Sequence, residues 1–149
     1  MMIWKPHVTV AAVIENEGRF LLVEELIAGR SVYNQPAGHL EDGETFIDAV
    51  IRETREETAW EFMPESLVGI YQWRHPVYEE TFIRATFSGK TFHHDPDREL
   101  DACIVRTLWL TPEEISNQHD RLRSPMVLRT IEDYLAGVRY PLALLSTLD

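Results

Sequence analysis

Between Gly38 and Trp60 the chain reads GHLEDGETFIDAVIRETREETAW, which specifies a helix with a marked start, one packing face and an unusual load of acid. Thr45 and Asp48 hold the Thr-x-x-Asp spacing by which a side-chain oxygen satisfies the first free N–H groups of a helix. Ile47, Val50, Ile51, Thr54 and Thr58 then recur at helical spacing, so one stripe is set to pack against a neighbouring layer. Glu53, Glu56 and Glu57 stand at i, i+3 and i+4 on an adjoining face, where like charges weaken an isolated helix by roughly 0.2–0.5 kcal/mol per pair. A cationic partner is therefore expected beside them. A solvated acidic face is the ordinary fate of such a cluster, and only the frame around it argues for more.

Composition restricts what that frame can serve. A length of 149 residues, 44% hydrophobic and 26% charged, suits one soluble globular domain over 1–149 with a proper core. The net charge is −11, and eight carboxylates face only Arg52 and Arg55 between Glu41 and Glu61. Such a chain makes a poor binder of nucleic-acid backbones, whose affinity comes from Lys and Arg neutralising phosphates. A small phosphorylated ligand carried in with a divalent metal escapes that objection. No long apolar run marks a membrane span or a secretory signal, and Cys103 is the single cysteine, so a reducing, cytoplasmic setting is expected. Cys103 lies among apolar residues and reads as core.

Around the acidic helix the pattern alternates strand and turn. HVTVAAVI (7–14) and RFLLVEE (19–25) flank the turn residues 15–18 and predict a hairpin. Val32–Gln35 reads as a short strand ended by Pro36. Ser66–Trp73 and Glu80–Phe87 read as strands, with a break at His75-Pro76 and a hairpin turn at Ser88-Gly89-Lys90 leading into Thr91-Phe92. HHDPD (93–97) reads as an exposed polar loop, although His93, His94 and Asp95 are metal-ligand types. Ile104–Leu110 is a strand running into Thr111-Pro112-Glu113-Glu114, a helix start, and Pro125 opens an amphipathic helix to about Tyr134, closed by Gly137. The class is α/β, a mixed sheet with flanking helices.

Gly38, Glu44, Arg52-Glu53 and Glu56-Glu57 resemble, in register, the six glycine and polar positions of the Nudix box, G-x5-E-x7-R-E-U-x-E-E-x-G-U with U bulky aliphatic. Thr54, Ala59 and Trp60 depart from it. Alanine in place of the closing glycine either adopts a left-handed conformation at a cost on the order of 1–2 kcal/mol or lets the helix run on, and Pro64 limits any continuation. Asn34–Ala37, Tyr71–Trp73, Leu122–Pro125 and Arg139–Leu142 extend the likeness over nearly the whole chain, toward a bacterial phosphatase subgroup of that superfamily. The resemblance implies the Nudix α/β/α sandwich with the box as a loop-helix-loop. It also implies hydrolysis of nucleoside tri- and diphosphates and of hydroxymethylpyrimidine pyrophosphate. ADP-ribose and oxidised-nucleotide pyrophosphatases are the alternatives, as is a silent nucleotide-binding domain, which would have no need to hold three close carboxylates.

Phosphoanhydride hydrolysis is mostly positioning and charge stabilisation. Mg²⁺, with Mn²⁺ as a substitute, takes the oxygen ligands that this helix offers. By resemblance, Glu53 and Glu57 are ligands, Glu56 a third, and a backbone carbonyl of Ala37 or Gly38 a further one. The base that deprotonates water is Glu56 or Glu53, or a later-loop carboxylate, Glu99 or Asp101. Arg52 and Glu44 support the ligating groups. For the substrate, Tyr33, Trp73 and Tyr78 are candidate stacking rings, Gln35 a reader of a ring edge, and Arg19, Arg74 and Arg84 candidate phosphate partners; each type is also common in cores or on surfaces. A monomer or homodimer acting on small molecules, without nucleic acid or membrane, completes the expectation.

Overall fold

The computed structural model describes residues 1–148. Strands β1 (His7–Asn16) and β2 (Arg19–Ile27) form the expected hairpin, followed by β3 (Arg30–Asn34) and β4 (Ala37–His39). Helix α1 (Phe46–Thr58) leads into β5 (Trp60–Arg74), β6 (Thr81–His94) and β7 (Ile104–Leu110), then α2 (Pro112–Asn117) and α3 (Pro125–Leu135). β1 is the hinge of the sheet. Its first eight residues run parallel to β6 and also pair with β4, whereas Glu15 and Asn16 pair with β2. β2 in turn lies between β3 and β7, and β5 closes the far edge beside β6.

Alternation along β1 decides which layer lies on which face, since neighbouring strand residues point to opposite sides. Val10, Ala12 and Ile14 pack with Ala49 and Val50 of α1, together with Phe62, Leu67 and Phe87. Val13 points the other way, into a second core with Phe20, Leu22, Tyr33, Ile115 of α2 and Ile131 of α3. The result is the expected α/β/α layering, with α1 on one face and α2 and α3 on the other.

The helix ends follow their local chemistry. Thr45 accepts from the Asp48 N–H, Thr111 and Glu114 complete a reciprocal capping box, and Ser124 accepts from the Met126 N–H. Ala59 takes the left-handed conformation, φ 64°, and its N–H closes on the Arg55 carbonyl, so the helix stops without glycine.

Three expectations need correction. β5 begins at Trp60 rather than Ser66; Pro64 is tolerated because β5 is an edge strand and its register shifts there. No turn occurs at Ser88-Gly89-Lys90, and β6 runs unbroken through His93 and His94. Gly89 marks close packing instead: a Cβ there would stand 2.1 Å from the Met63 carbonyl oxygen of β5. Cys103 is exposed rather than core, because it falls in the loop just before β7.

Candidate active site

Three segments meet over the acidic face of α1. The first is β4, whose Ala37 N–H donates to Glu57 Oε1 at 2.9 Å. Its next residue, Gly38, passes so close to Glu53 that a Cβ would lie 2.1 Å from the carboxyl carbon. The second is the loop before β7, pinned by the Asp101 N–H donating to the Glu56 carbonyl at 3.0 Å. The third is α1 itself. One carboxylate oxygen each from Glu53, Glu56 and Asp101 lie within 4.8 Å of one another. Glu57 is outside that triangle, held on the Ala37 N–H. Of the two loop candidates Asp101 joins the cluster, while Glu99 is exposed and apart from it. His93 and His94 end β6 beside Glu61 and Trp60, away from the triangle.

Arg52 is the cation the sequence called for. Its guanidinium donates to both Glu44 oxygens at 2.6 and 2.9 Å, to Glu53 at 2.7 Å, to Glu56 at 3.2 Å and to the His39 carbonyl at 3.0 Å. Glu44 also accepts from the Glu41 N–H at 3.0 Å, which fixes the loop before α1. Charge-assisted bonds of this kind are the strong ones, and here they hold three carboxylates in place. The Glu44 carboxyl is held low by its bond to Arg52.

The ligand-type carboxyls behave differently. Burial pushes Glu53 up to about 7 despite Arg52 beside it, and pushes Glu57 up to about 9 despite the Ala37 N–H. Both groups bind a proton more tightly folded than unfolded. Their stabilising contribution is whole below the ordinary carboxylate range and is lost as pH rises through about 7 and about 9. His39, held low by burial, titrates with the opposite sign, below its ordinary 6.5. With chelator present, Tm is therefore expected to fall from the ordinary carboxylate range up to about pH 9, above about pH 7 through Glu57 alone, and added Mg²⁺ should flatten the slope. Thermal melts across that range check it; a Tm that rises with pH in chelator would refute the assignment of the buried charge.

From Glu53 and Glu57 a cleft of about 360 Å³ extends across Thr9 and Arg84 to Phe82, Trp73 and Met126. Trp73 lines it, stacked on Phe82 with ring centres 5.9 Å apart. Arg84 is only 4% exposed and gives its terminal N–H groups to Gln35 Oε1 at 3.2 Å and Asn34 Oδ1 at 3.1 Å. Among the described residues no carboxylate forms an ion pair with it, and burial draws its pKa down to about 10.

Other candidates lie elsewhere. Gln35 is fully buried behind Arg84, its amide donating to the Val127 carbonyl at 2.8 Å, so it braces Arg84 rather than meeting a ring. Tyr33 precedes the cleft residue Asn34 on β3 and therefore points to the opposite face, into the second core, with Arg121 4.4 Å over its ring. Tyr78 is exposed on the β5–β6 turn against His75, Arg74 reaches Glu79 at 3.8 Å, and Arg19 is exposed at the β1–β2 hairpin. Asn34, Glu25 and Arg123, none of them a sequence candidate for the site, also line the cleft. Adjacent Glu24 and Glu25 in a strand are a usable signal, because alternation sends one of the two inward.

The model of the NUDIX domain family matches residues 5–129. The chain is 42% identical over 143 residues to the Escherichia coli K12 protein named phosphatase NudJ, covering 96% of this chain and 92% of that one; the Shigella flexneri protein of the same name matches equally. Among solved structures, a NUDIX hydrolase from Nitrosomonas europaea superposes with a TM-score of 0.95 at 50% identity, covering 97% of this chain and 98% of that chain. A MutT protein from Methanosarcina mazei, 24% identical with a TM-score of 0.71 over 91% of this chain and 99% of that chain, shares the fold.

Proposed function

This chain belongs to the Nudix family and is a hydrolase, and from that premise we propose that it cleaves phosphoanhydride bonds in nucleoside tri- and diphosphates and in hydroxymethylpyrimidine pyrophosphate with the help of Mg²⁺. The observation that carries the reading is the convergence of Glu53, Glu56 and Asp101, with Glu53 also lining a cleft that has Trp73 and Phe82 on its walls. Three carboxylate oxygens within 4.8 Å form a hard-donor set that fits Mg²⁺, with Mn²⁺ as a substitute. Glu57 and a backbone carbonyl of Ala37 or Gly38 would add to it. Bound there, the ion supplies charge stabilisation at the phosphoryl oxygens and a more acidic attacking water.

The chain's own groups do the rest. A water oxygen attacks phosphorus, the anhydride P–O bond breaks with its electron pair leaving on the departing phosphate, and a carboxylate takes the water proton. Glu53, Glu56 and Asp101 are the carboxylates within reach of one point, so the base that takes the proton is drawn from these three. Arg52, anchored by Glu44, keeps Glu53 and Glu56 from swinging apart. Trp73 and Phe82 offer a face for a planar ring, and Arg84 presents a buried positive charge to the substrate. The charge of −11 supports a small-molecule ligand over nucleic acid, and a cytoplasmic enzyme working as one domain, monomer or homodimer, is consistent with the same reading.

The test is a hydrolysis screen with Mg²⁺ over nucleoside di- and triphosphates, hydroxymethylpyrimidine pyrophosphate and ADP-ribose, with products separated by chromatography. Turnover on the first two groups, abolished by EDTA and restored by Mg²⁺, is expected. Preference for ADP-ribose, or activity indifferent to EDTA, would overturn it. Trp73→Ala should raise KM on ring-bearing substrates by about 5–150-fold, matching a stacking contribution of roughly 1–3 kcal/mol, with kcat little changed. Equal loss of Tm and activity would instead make Trp73 a packing residue.

A further inference from the structure

Glu25, Glu41, Glu53 and Glu57 all line the cleft, so an anionic substrate must find positive charge among carboxylates. Two guanidiniums share the lining. Arg84 is 4% exposed and spends its terminal N–H groups on Gln35 and Asn34, so it offers the substrate a charge in the wall rather than a contact. Arg123 differs. Its side chain is 38% exposed, and among the described residues its one side-chain hydrogen bond goes to Glu25 Oε2 at 2.9 Å. A guanidinium carries five N–H donors in a planar fork, so most of this one is unspent.

The backbone beneath that side chain is fixed. The Arg123 N–H donates to the Tyr33 carbonyl at 2.8 Å, and the next residue, Ser124, caps α3. The cleft also continues here into a second hollow of about 540 Å³, since Trp73, Arg123 and Ser124 line both. None of Glu53, Glu56 and Asp101 lines that hollow, so Arg123 belongs to the border between the two spaces and not to the carboxylate triangle. Arginine suits a phosphate because two parallel N–H groups meet two phosphoryl oxygens. A phosphoanhydride brings at least two phosphates, and the triangle accounts for the attacked one. We propose that Arg123 is a substrate-binding residue that grips the phosphate not held at the carboxylate triangle. Glu25 orients the guanidinium from one edge and leaves the rest to the phosphoryl oxygens. The inference rests on the hydrolase reading and deepens it: Arg123 makes the phosphate contact that Arg19, Arg74 and Arg84 are not placed to make.

Calorimetric titration in Mg²⁺ with the methylene-bridged analogue of ADP tests it, because that compound keeps both phosphates and has no anhydride bond to break. Arg123→Gln, which can still donate to Glu25, is expected to weaken binding about tenfold or more. Its Mn²⁺ affinity without nucleotide should stay within about twofold of wild type, whereas a collapsed site would lose both. Glu25→Gln removes the carboxylate that competes for the guanidinium, and is expected to bind the analogue as well as the wild type or better. A wild type that binds no analogue overturns the proposal, as does an Arg123→Gln protein that binds it within about twofold of wild type. So does a Glu25→Gln protein that loses about tenfold, which would make Arg123 only a brace for Glu25; this variant decides the matter even where Arg123→Gln does not fold. A protein that grips the analogue through Arg123 but hydrolyses no phosphoanhydride would sink the hydrolytic reading and leave this contact standing.

Discussion

Replacing Glu57 with glutamine is expected to lower kcat by about a hundredfold or more while making the metal-free protein more heat-stable at alkaline pH. The two effects have one cause. Glu57 is 5% exposed, its carboxyl is pushed up to about 9 by burial, and Glu25, Glu53 and Asp101 push in the same direction. Without a cation the ionised form is a liability that glutamine removes, and the amide oxygen still accepts from the Ala37 N–H. One unit of pKa shift is worth about 1.4 kcal/mol, and in a domain of this length 1 kcal/mol moves Tm by about 2–4 °C. An increase of several degrees near pH 9 in chelator should therefore be readily measured. With Mg²⁺ the order should reverse, because only the carboxylate is stabilised by the ion. Steady-state turnover together with melts in chelator and in Mg²⁺ checks both halves. A variant with near-normal kcat would remove Glu57 from the chemistry.

Gly38→Ala should act on activity far more than on folding. The new Cβ would stand 2.1 Å from the Glu53 carboxyl carbon and 2.3 Å from each of its oxygens. Gly38 is not among the residues with positive φ, so its backbone accepts alanine without strain. What gives way is the free end of Glu53, which must leave its place beside Arg52 and Glu56. Displacing a reacting group by about 1 Å can cost on the order of a hundredfold in rate, and a loss of about 10–100-fold in kcat is expected here. Stability should fall by only about 1 kcal/mol, since the clash is relieved by a side-chain rotation rather than by core movement. Mn²⁺ titration followed by electron spin resonance reads the damage without reference to turnover, and should show weaker binding. Unchanged turnover and Mn²⁺ affinity in the alanine variant would mean that Glu53 works from a different position.

The parts of this protein that could be read along the chain are those whose cause is local. Thr45 and Thr111 cap helices because a side-chain oxygen and an N–H three residues on are neighbours in any helix start. The hairpin at Glu17-Gly18 and the strand Ile104–Leu110 follow from turn chemistry and apolar runs of the right length. The acidic face of α1 is legible for the same reason, since spacing on a helix fixes which side chains share a face, whereas the Arg52 clamp is implied by the family resemblance alone. Ala59 shows the limit of that legibility: sequence allowed two outcomes, and only the turn into β5 chose the left-handed one.

What the tertiary structure decided depends on segments far apart in the chain. Gly89 reads as a turn residue until β5 is laid against it and its missing side chain becomes a matter of backbone clearance. Tyr33 is the candidate and Asn34 is not, until β3 pairs with β2 and sends Tyr33 to the core and Asn34 to the cleft. Asp101, rather than Glu99, completes the carboxylate triangle because its backbone is tied to α1, a bond between residues 45 positions apart. Sequence determined which charges this chain carries and along which helix face they line up, because those follow from covalent order and helical pitch. Which of them meet, and across what cleft, was settled only by packing, because convergence of distant segments has no local signature.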